Sequence, residues 1–285
     1  MPENHYLNVC GLNTRYWVLG ARGTNVVLIH GLGGSADVWM HNVYPLAREH
    51  RVYVPDLPGF GGSDQPGPLF SPFDYARFLR DFMSLLHIDK ASLVGQSLGG
   101  GVALHCALCI PEKVDKLVLV DSAGLGREVI WTLKLMSLPL LGELCSRPTR
   151  KSVELFFRFA VRNQALITED FVDLYYRFFS TRGFQAFLLR MVRMMVTIRG
   201  ANQQLLKPIV DNLENIKQPV LVIWGRKDRV LPPKHGHFAK QRLPNAVLEV
   251  IEGCGHLPFF ERPDVFNRLV LTFLHCEWPD HLDGI

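Results

Sequence analysis

Long apolar runs are missing from this chain of 285 residues. Its most apolar stretch, Val129 to Cys145, is shorter than the ~20 residues a bilayer span needs and is interrupted by Lys134, Pro139 and Glu143. That excludes a transmembrane helix there and reads as one or two short helices. Met1 to Gly11 lacks the basic segment and apolar run of a secretory leader, so cytoplasmic residence is the expectation. Cysteine is sparse: Cys10, Cys106, Cys109, Cys145, Cys254 and Cys276 lie scattered in apolar contexts, which fits buried free thiols rather than a disulfide framework. Cys106 and Cys109 form a C-x-x-C, but a redox pair opens a helix, and this one falls late in a helix that should begin near Ser97. Further metal ligands are lacking nearby. No compact Lys/Arg run interleaved with aromatics occurs, which removes nucleic acid from the expected partners. Repeats and low-complexity tracts are absent too.

What remains is the composition of a globular protein with a filled core: 48% hydrophobic and 20% charged. The length suits one body carrying an insertion. A net charge of +4 is small but uneven. Residues 124–212 hold 13 Lys/Arg against 7 Asp/Glu, or +6, and the remainder holds 18 against 20, or −2. Such a segment can steer an anionic substrate or touch an acidic membrane surface, but solvated arginines on helix surfaces are the preferred reading.

The runs Asn25–His30, Arg51–Asp56, Ala91–Gly95, Lys116–Asp121, Pro219–Trp224 and Ala246–Ile251 are short, β-branched and continuous, the pattern of strands buried on both faces of a parallel sheet. Tyr6–Cys10 and Thr14–Leu19 read as an N-terminal hairpin around Gly11-Leu12-Asn13, at an antiparallel edge. Helical periods over Ser71–Leu86 and Pro263–His275 alternate with the strands. The expected fold is therefore α/β, with a mostly parallel eight-stranded sheet flanked by helices. The alternation stops after Asp121 and resumes at Pro219; the text between is helical in period, with breaks at Pro139, Pro148, Gly183 and Gly200. Residues 1–123 and 213–285 are assigned to the body and 124–212 to an inserted helical cap.

The strongest chemical signal is Gly95-Gln96-Ser97-Leu98-Gly99, a G-x-S-x-G between a strand and a helix. Small residues are needed because the turn is so tight that side chains would collide, and the turn holds the serine at the strand's end beside the positive end of the helix. A serine hydroxyl becomes a nucleophile only when a base takes its proton. His256, in Glu252-Gly-Cys-Gly-His256 after the last strand, is the candidate; His105 and His235 read as helix or core residues. The base needs an acid to fix its tautomer. Asp228, after the strand ending at Trp224, is preferred, with Asp121 as competitor. Two backbone donors should stabilise the oxyanion, roughly 3 kcal/mol each: Leu98, and Leu32 in His30-Gly-Leu-Gly-Gly34, whose His30 would hold the loop.

Over essentially its whole length the chain resembles the α/β-hydrolase superfamily, and most of all microbial carboxylesterases and meta-cleavage-product hydrolases. The segments that carry the likeness are Asp56-Leu-Pro-Gly-Phe-Gly-Gly-Ser-Asp64, Trp224-Gly-Arg-Lys-Asp228 and Gly255-His256; Asp121-Ser-Ala-Gly-Leu-Gly126 and Leu166-Ile-Thr-Glu-Asp170 lean toward the carbon–carbon bond hydrolases. Three positions depart from that narrower group, which usually carries Asn where Gln96 stands and Trp where Leu257 stands, and whose cap Arg would fall near Tyr175, with Arg177 two residues away. Without that fork for a dienoate carboxylate, ester hydrolysis ranks above carbon–carbon cleavage. Asp in place of Ser97 would be expected of haloalkane dehalogenases and epoxide hydrolases.

Trp131, Leu135, Met136, Leu138, Phe187, Met191, Met194, Met195 and Leu257 can line an apolar acyl pocket or simply pack the cap on the body. The expectation is a carboxylesterase of short to medium acyl esters, with carbon–carbon hydrolysis as the enzymatic alternative and a ligand receptor on the same fold as the non-enzymatic one. This chemistry implies no metal or organic cofactor, and a homodimer is left open.

Overall fold

Six of the strands are arranged as the apolar runs require. The computed structural model describes residues 1–276, so the last nine residues of the segment 213–285 lie outside the described residues. The strands are β1 (His5–Val9), β2 (Leu12–Leu19), β3 (Asn25–Ile29), β4 (Arg51–Pro55), β5 (Ala91–Gln96) and β6 (Val114–Val120), followed by β7 (Val196–Thr197), β8 (Gly200–Ala201), β9 (Val220–Gly225) and β10 (Ala246–Ile251). One eight-stranded sheet has the order β1-β2-β4-β3-β5-β6-β9-β10. From β4 to β10 all neighbours are parallel, and β1 and β2 form the antiparallel edge. Central strands β5 and β9 are buried at every position, and β9 is an uninterrupted apolar run, while β5 carries the buried polar Ser92 and Gln96.

The N-terminal hairpin is tighter than the sequence reading. Val9 pairs with Leu12, so only Cys10 and Gly11 turn the chain. Both have positive φ, 53° and 82°, the twist-matched conformation of a two-residue hairpin. Cysteine is an unusual occupant of such a position, which hid the turn.

Helices α1 (Val43–Ala47), α2 (Asp74–Leu85) and α3 (Leu98–Cys109) belong to the first half of the body. Between β6 and β9 come α4 (Trp131–Met136), α5 (Leu141–Cys145), α6 (Arg150–Ala160), α7 (Glu169–Phe179), α8 (Phe184–Met195) and α9 (Gln203–Val210). Helices α10 (Lys234–Arg242), α11 (Pro258–Glu261) and α12 (Pro263–His275) complete the described chain. The insertion is not purely helical: β7 and β8 form a small antiparallel hairpin within it. Three of its helices start at side-chain caps that satisfy otherwise free amides. Thr149 and Ser152 form a reciprocal capping box on α6, Thr168 caps α7 and Asn202 caps α9.

The insertion is fastened to the body by close packing and by backbone bonds. Phe187 lies 5.2 Å from the ring of Phe60 and presses on Gly59, where an added Cβ would sit 2.1 Å from the Phe187 ring. Tyr175, fully buried, bonds Ser35 Oγ at 3.0 Å. The end of α6 is held by Glu261, whose Oε2 accepts from the amides of Arg162 (2.6 Å) and Asn163 (2.9 Å).

Candidate active site

Ser97 is the single residue between β5 and α3, and its backbone is strained, with φ 52° and ψ −114°. Positive φ at a non-glycine residue costs on the order of 1–3 kcal/mol and persists only where the surroundings impose it. Here they do. Ser97 N–H donates to Val120 O (2.9 Å), and Ser97 O accepts from the amides of Gly100 (3.0 Å) and Ala123 (2.9 Å). A Cβ at Gly95 would lie 2.3 Å from Gly99 O, and one at Gly99 would lie 2.3 Å from Ile29 O. Both glycines are therefore obligatory for so sharp a turn.

His256 sits on the loop between β10 and α11, and its position is fixed from three sides. Its N–H donates to Ala160 O of the insertion at 2.7 Å, and its carbonyl accepts from Gln96 Nε2 at 3.1 Å. Glu261 Oε1 accepts from the preceding Gly255 N–H at 2.6 Å. The ring Nδ1 lies 2.7 Å from Asp228 Oδ2. A carboxylate only accepts, so Nδ1 carries the proton and Nε2 is left as the basic nitrogen. Asp228 is oriented in turn by the amides of Val230 (2.7 Å) and Leu231 (3.2 Å) on its other oxygen. Among the described residues no hydrogen bond joins Ser97 to His256.

Asp121, the competing acid, stands close by: ligand atoms of Asp121, Asp228 and His256 all lie within 4.8 Å of one another. Its Oδ1 accepts from Gly225 N–H at 2.9 Å and its Oδ2 has no partner among the described residues. Complete burial, and then the neighbouring Asp228, push its pKa well above the carboxylate range. The bond to the imidazole is made by Asp228, not by Asp121.

Leu98 opens α3, so its amide has no partner within the helix. Leu32 lies on the loop after β3, and both residues line the same cavity as Ser97 and His256. His30 braces that loop from beneath. Its Nε2 accepts from Leu57 N–H (2.9 Å), which leaves Nδ1 to donate to Gly31 O (2.8 Å). Burial lowers its pKa to about 4, so it is neutral.

The cavity measures about 560 Å³ and runs between the carboxyl edge of the sheet and the insertion. Of the residues expected to line it, Trp131, Leu135, Met136, Met195 and Leu257 do. Leu138, Phe187, Met191 and Met194 do not. On α8 the cavity side is Leu188, Val192 and Met195, one residue out of phase with Phe187, Met191 and Met194. One residue is a rotation of ~100° about a helix, enough to turn a side chain from cavity to core. Phe187 thus packs on Phe60, and Met191 is wholly buried. Leu138 follows α4, where its carbonyl accepts from Arg193.

Sequence reasoning left His105 and His235 as ordinary helix residues, yet both line the cavity, and burial lowers the pKa of each. Gln96 was noted only as a departure; its bond to the His256 carbonyl gives it a positioning role. Glu261 was missed, and only its spacing of five residues from His256 could have hinted at it. No Lys, Arg, Asp or Glu lines the cavity among the described residues. Tyr175 points to Ser35 and Arg177 is exposed, so neither brings a cation to the wall.

With this geometry in hand, the comparisons with known proteins are specific. The family model for the alpha/beta hydrolase fold matches residues 24–263. A 2-hydroxy-6-oxo-6-phenylhexa-2,4-dienoate hydrolase of Burkholderia cepacia is 32% identical over 265 residues, covering 89% of this chain and 88% of its own. A variant of the meta-cleavage product hydrolase CumD, from Pseudomonas fluorescens IP01, superposes with TM-score 0.82 at 28% identity, covering 94% of this chain and 97% of that one. A bacterial membrane phospholipase A gives 0.81 at 26% identity, covering 95% and 85%. The order of the sheet, the strained turn after β5 and these matches lead to one statement: the chain belongs to the α/β-hydrolase fold family.

Proposed function

We propose that the chain is a serine hydrolase that works through an acyl-enzyme. The observation that carries this reading is one cavity shared by a serine on a strained strand-to-helix turn and a histidine bonded at 2.7 Å to a buried aspartate. Ser97 Oγ attacks a substrate carbonyl as His256 Nε2 takes its proton, and Asp228 stabilises the imidazolium. The amides of Leu98 and Leu32 receive the oxyanion. The imidazolium returns its proton to the leaving group, which departs and leaves an acyl ester on Ser97. Water, deprotonated by His256, then cleaves that ester. In this reading residues 124–212 act as a cap that shapes the acyl site.

Two bonds suit this sequence of steps. Similarity to hydrolases of dienoate meta-cleavage products gives carbon–carbon bond hydrolysis the stronger support, reversing the order expected from the sequence. Ester hydrolysis is the second reading, and one observation favours it: among the described residues the cavity wall offers no guanidinium or ammonium to a dienoate carboxylate.

Parallel assays of p-nitrophenyl acetate, butyrate and octanoate and of a dienoate meta-cleavage product, with the parent chain and Ser97→Ala, test both. Turnover of either class, abolished in the variant, is the expected result. Preference for the dienoate selects carbon–carbon cleavage, and preference for the esters selects the second reading. Turnover that survives Ser97→Ala would remove the serine mechanism altogether.

A further inference from the structure

The cavity opens through a rim of large apolar side chains. Trp131, Leu155, Phe159 and Phe73 line it and are nevertheless 61%, 54%, 40% and 40% exposed. A residue that is both cavity wall and solvent-facing marks the mouth. Helix α5 packs against α4 and carries Cys145 on the cavity wall, and its Leu144, with Leu140 just before it, extends the rim outward at 60% and 83% exposure. Single exposed leucines need no explanation, but a cluster around one opening does.

Cations outnumber acids along helices α4 to α6 at this rim: Lys134, Arg147, Arg150, Lys151 and Arg158 against Glu143 and Glu154. Lys134 on α4 and Arg147 between α5 and α6 have no ion pair among the described residues. Lys151 and Arg158 follow on α6, beside the wall residues Ser152 and Phe159, and share Glu154 as ion-pair partner at 3.2 and 2.7 Å. The segment as a whole is +6 and the rest of the chain −2. A second copy presenting the same face would set like charges against each other, so the complementary occupant is anionic. No helix among the described residues is long and apolar enough to cross a membrane, so contact with lipid would be through side chains lying on its surface.

We propose that the cavity mouth docks on an anionic lipid surface. Trp131, Leu140 and Leu144 enter the acyl boundary, and Lys134 and Arg147 sit at headgroup level. A substrate dissolved in the lipid then reaches the cavity without crossing water. That last consequence rests on the serine-hydrolase reading; the docking does not.

The test is co-sedimentation of the full chain with vesicles of phosphatidylcholine alone and of phosphatidylcholine with about a third phosphatidylglycerol, alongside hydrolysis of soluble p-nitrophenyl butyrate. Binding to the anionic vesicles only, and its loss in about 0.5 M NaCl, is expected. Lys134→Glu with Arg147→Glu should weaken binding more than roughly tenfold, since each cation near an anionic surface contributes about fivefold. Leu140→Ser with Leu144→Ser should weaken it as well. None of these four residues lines the cavity, so turnover of the soluble ester should not change. Protein left in the supernatant, equal binding to both vesicle types, or variants that bind like the parent would overturn the proposal. So would a dimer in sedimentation equilibrium that the leucine variants abolish, because the face would then join two copies. Docking without any turnover would leave this inference standing and remove the proposed function.

Discussion

The body and the insertion meet at one cavity but bring different chemistry to it. From the body come Ser97, Gln96, His256 and, behind them, Asp228, each held by directional hydrogen bonds at a sharp turn. From the insertion come chiefly apolar walls such as Val129, Met136, Phe156, Leu188, Val192 and Leu206, held by packing. Hydrogen bonds at turns fix an atom's position, whereas packing fixes a volume and tolerates exchange of similar shapes. In the proposed function the body would set the reaction and the insertion what fits; in the further inference its charge would set where the protein docks.

Substitutions in the two regions should separate cleanly. Ser97→Ala and His256→Ala should each lower kcat by about 10⁴–10⁶ with little change in melting temperature, measured by steady-state kinetics and calorimetry. A wholly retained rate would place the chemistry elsewhere. Asp228→Asn should cost about 10⁴ in kcat, because the imidazole loses its tautomer. Asp121→Asn should cost less than roughly tenfold, since Asp228, not Asp121, bonds the imidazole. Equal losses would mean that both carboxyls serve the base.

Effects on stability come next in size. Phe187→Ala, off the cavity, should cost about 3–4 kcal/mol in denaturant unfolding and leave substrate preference unaltered. A shifted preference would contradict its place against Phe60. Burial holds His30 at about 4, below its ordinary value. With the folded pKa depressed, its contribution is complete above about pH 6.5 and is lost as pH falls toward 4, roughly 3 kcal/mol in all. Asp56, raised to about 6 by burial, acts in the opposite sense, because the folded state takes up its proton first as pH falls. Urea unfolding at about pH 7 and 4.5 should thus show a smaller acid loss in His30→Gln than in the parent, and an unchanged loss would acquit His30. The smallest effect is expected on the wall of the insertion: Leu188→Phe or Val192→Phe should shift preference among acyl chain lengths by about tenfold and barely move stability.

The same contrast explains what was legible in the sequence. The strands and the turn at Ser97 could be read because burial on both faces leaves apolar runs such as that of β9 and because only glycine fits at Gly95 and Gly99. Asp228 and His256 followed from their places at strand ends. The hairpin turn was shifted because Cys10, not glycine or asparagine, takes the first left-handed position. Walls were half legible. The period of α8 shows that a face is buried but not against what, so it does not separate the stripe through Phe187 and Met191 from the one through Leu188 and Val192. Glu261 and Gln96 were invisible as positioning groups because their partners are backbone atoms of distant residues.

The central claim, that the serine held by the body carries the chemistry, is tested most directly by reacting the chain with a fluorophosphonate and mapping the adduct by peptide mass spectrometry. One phosphonyl group per chain, on Ser97, formed far more slowly in His256→Ala, is the predicted result. An adduct on another residue, or none in a preparation that turns over substrate, would contradict it.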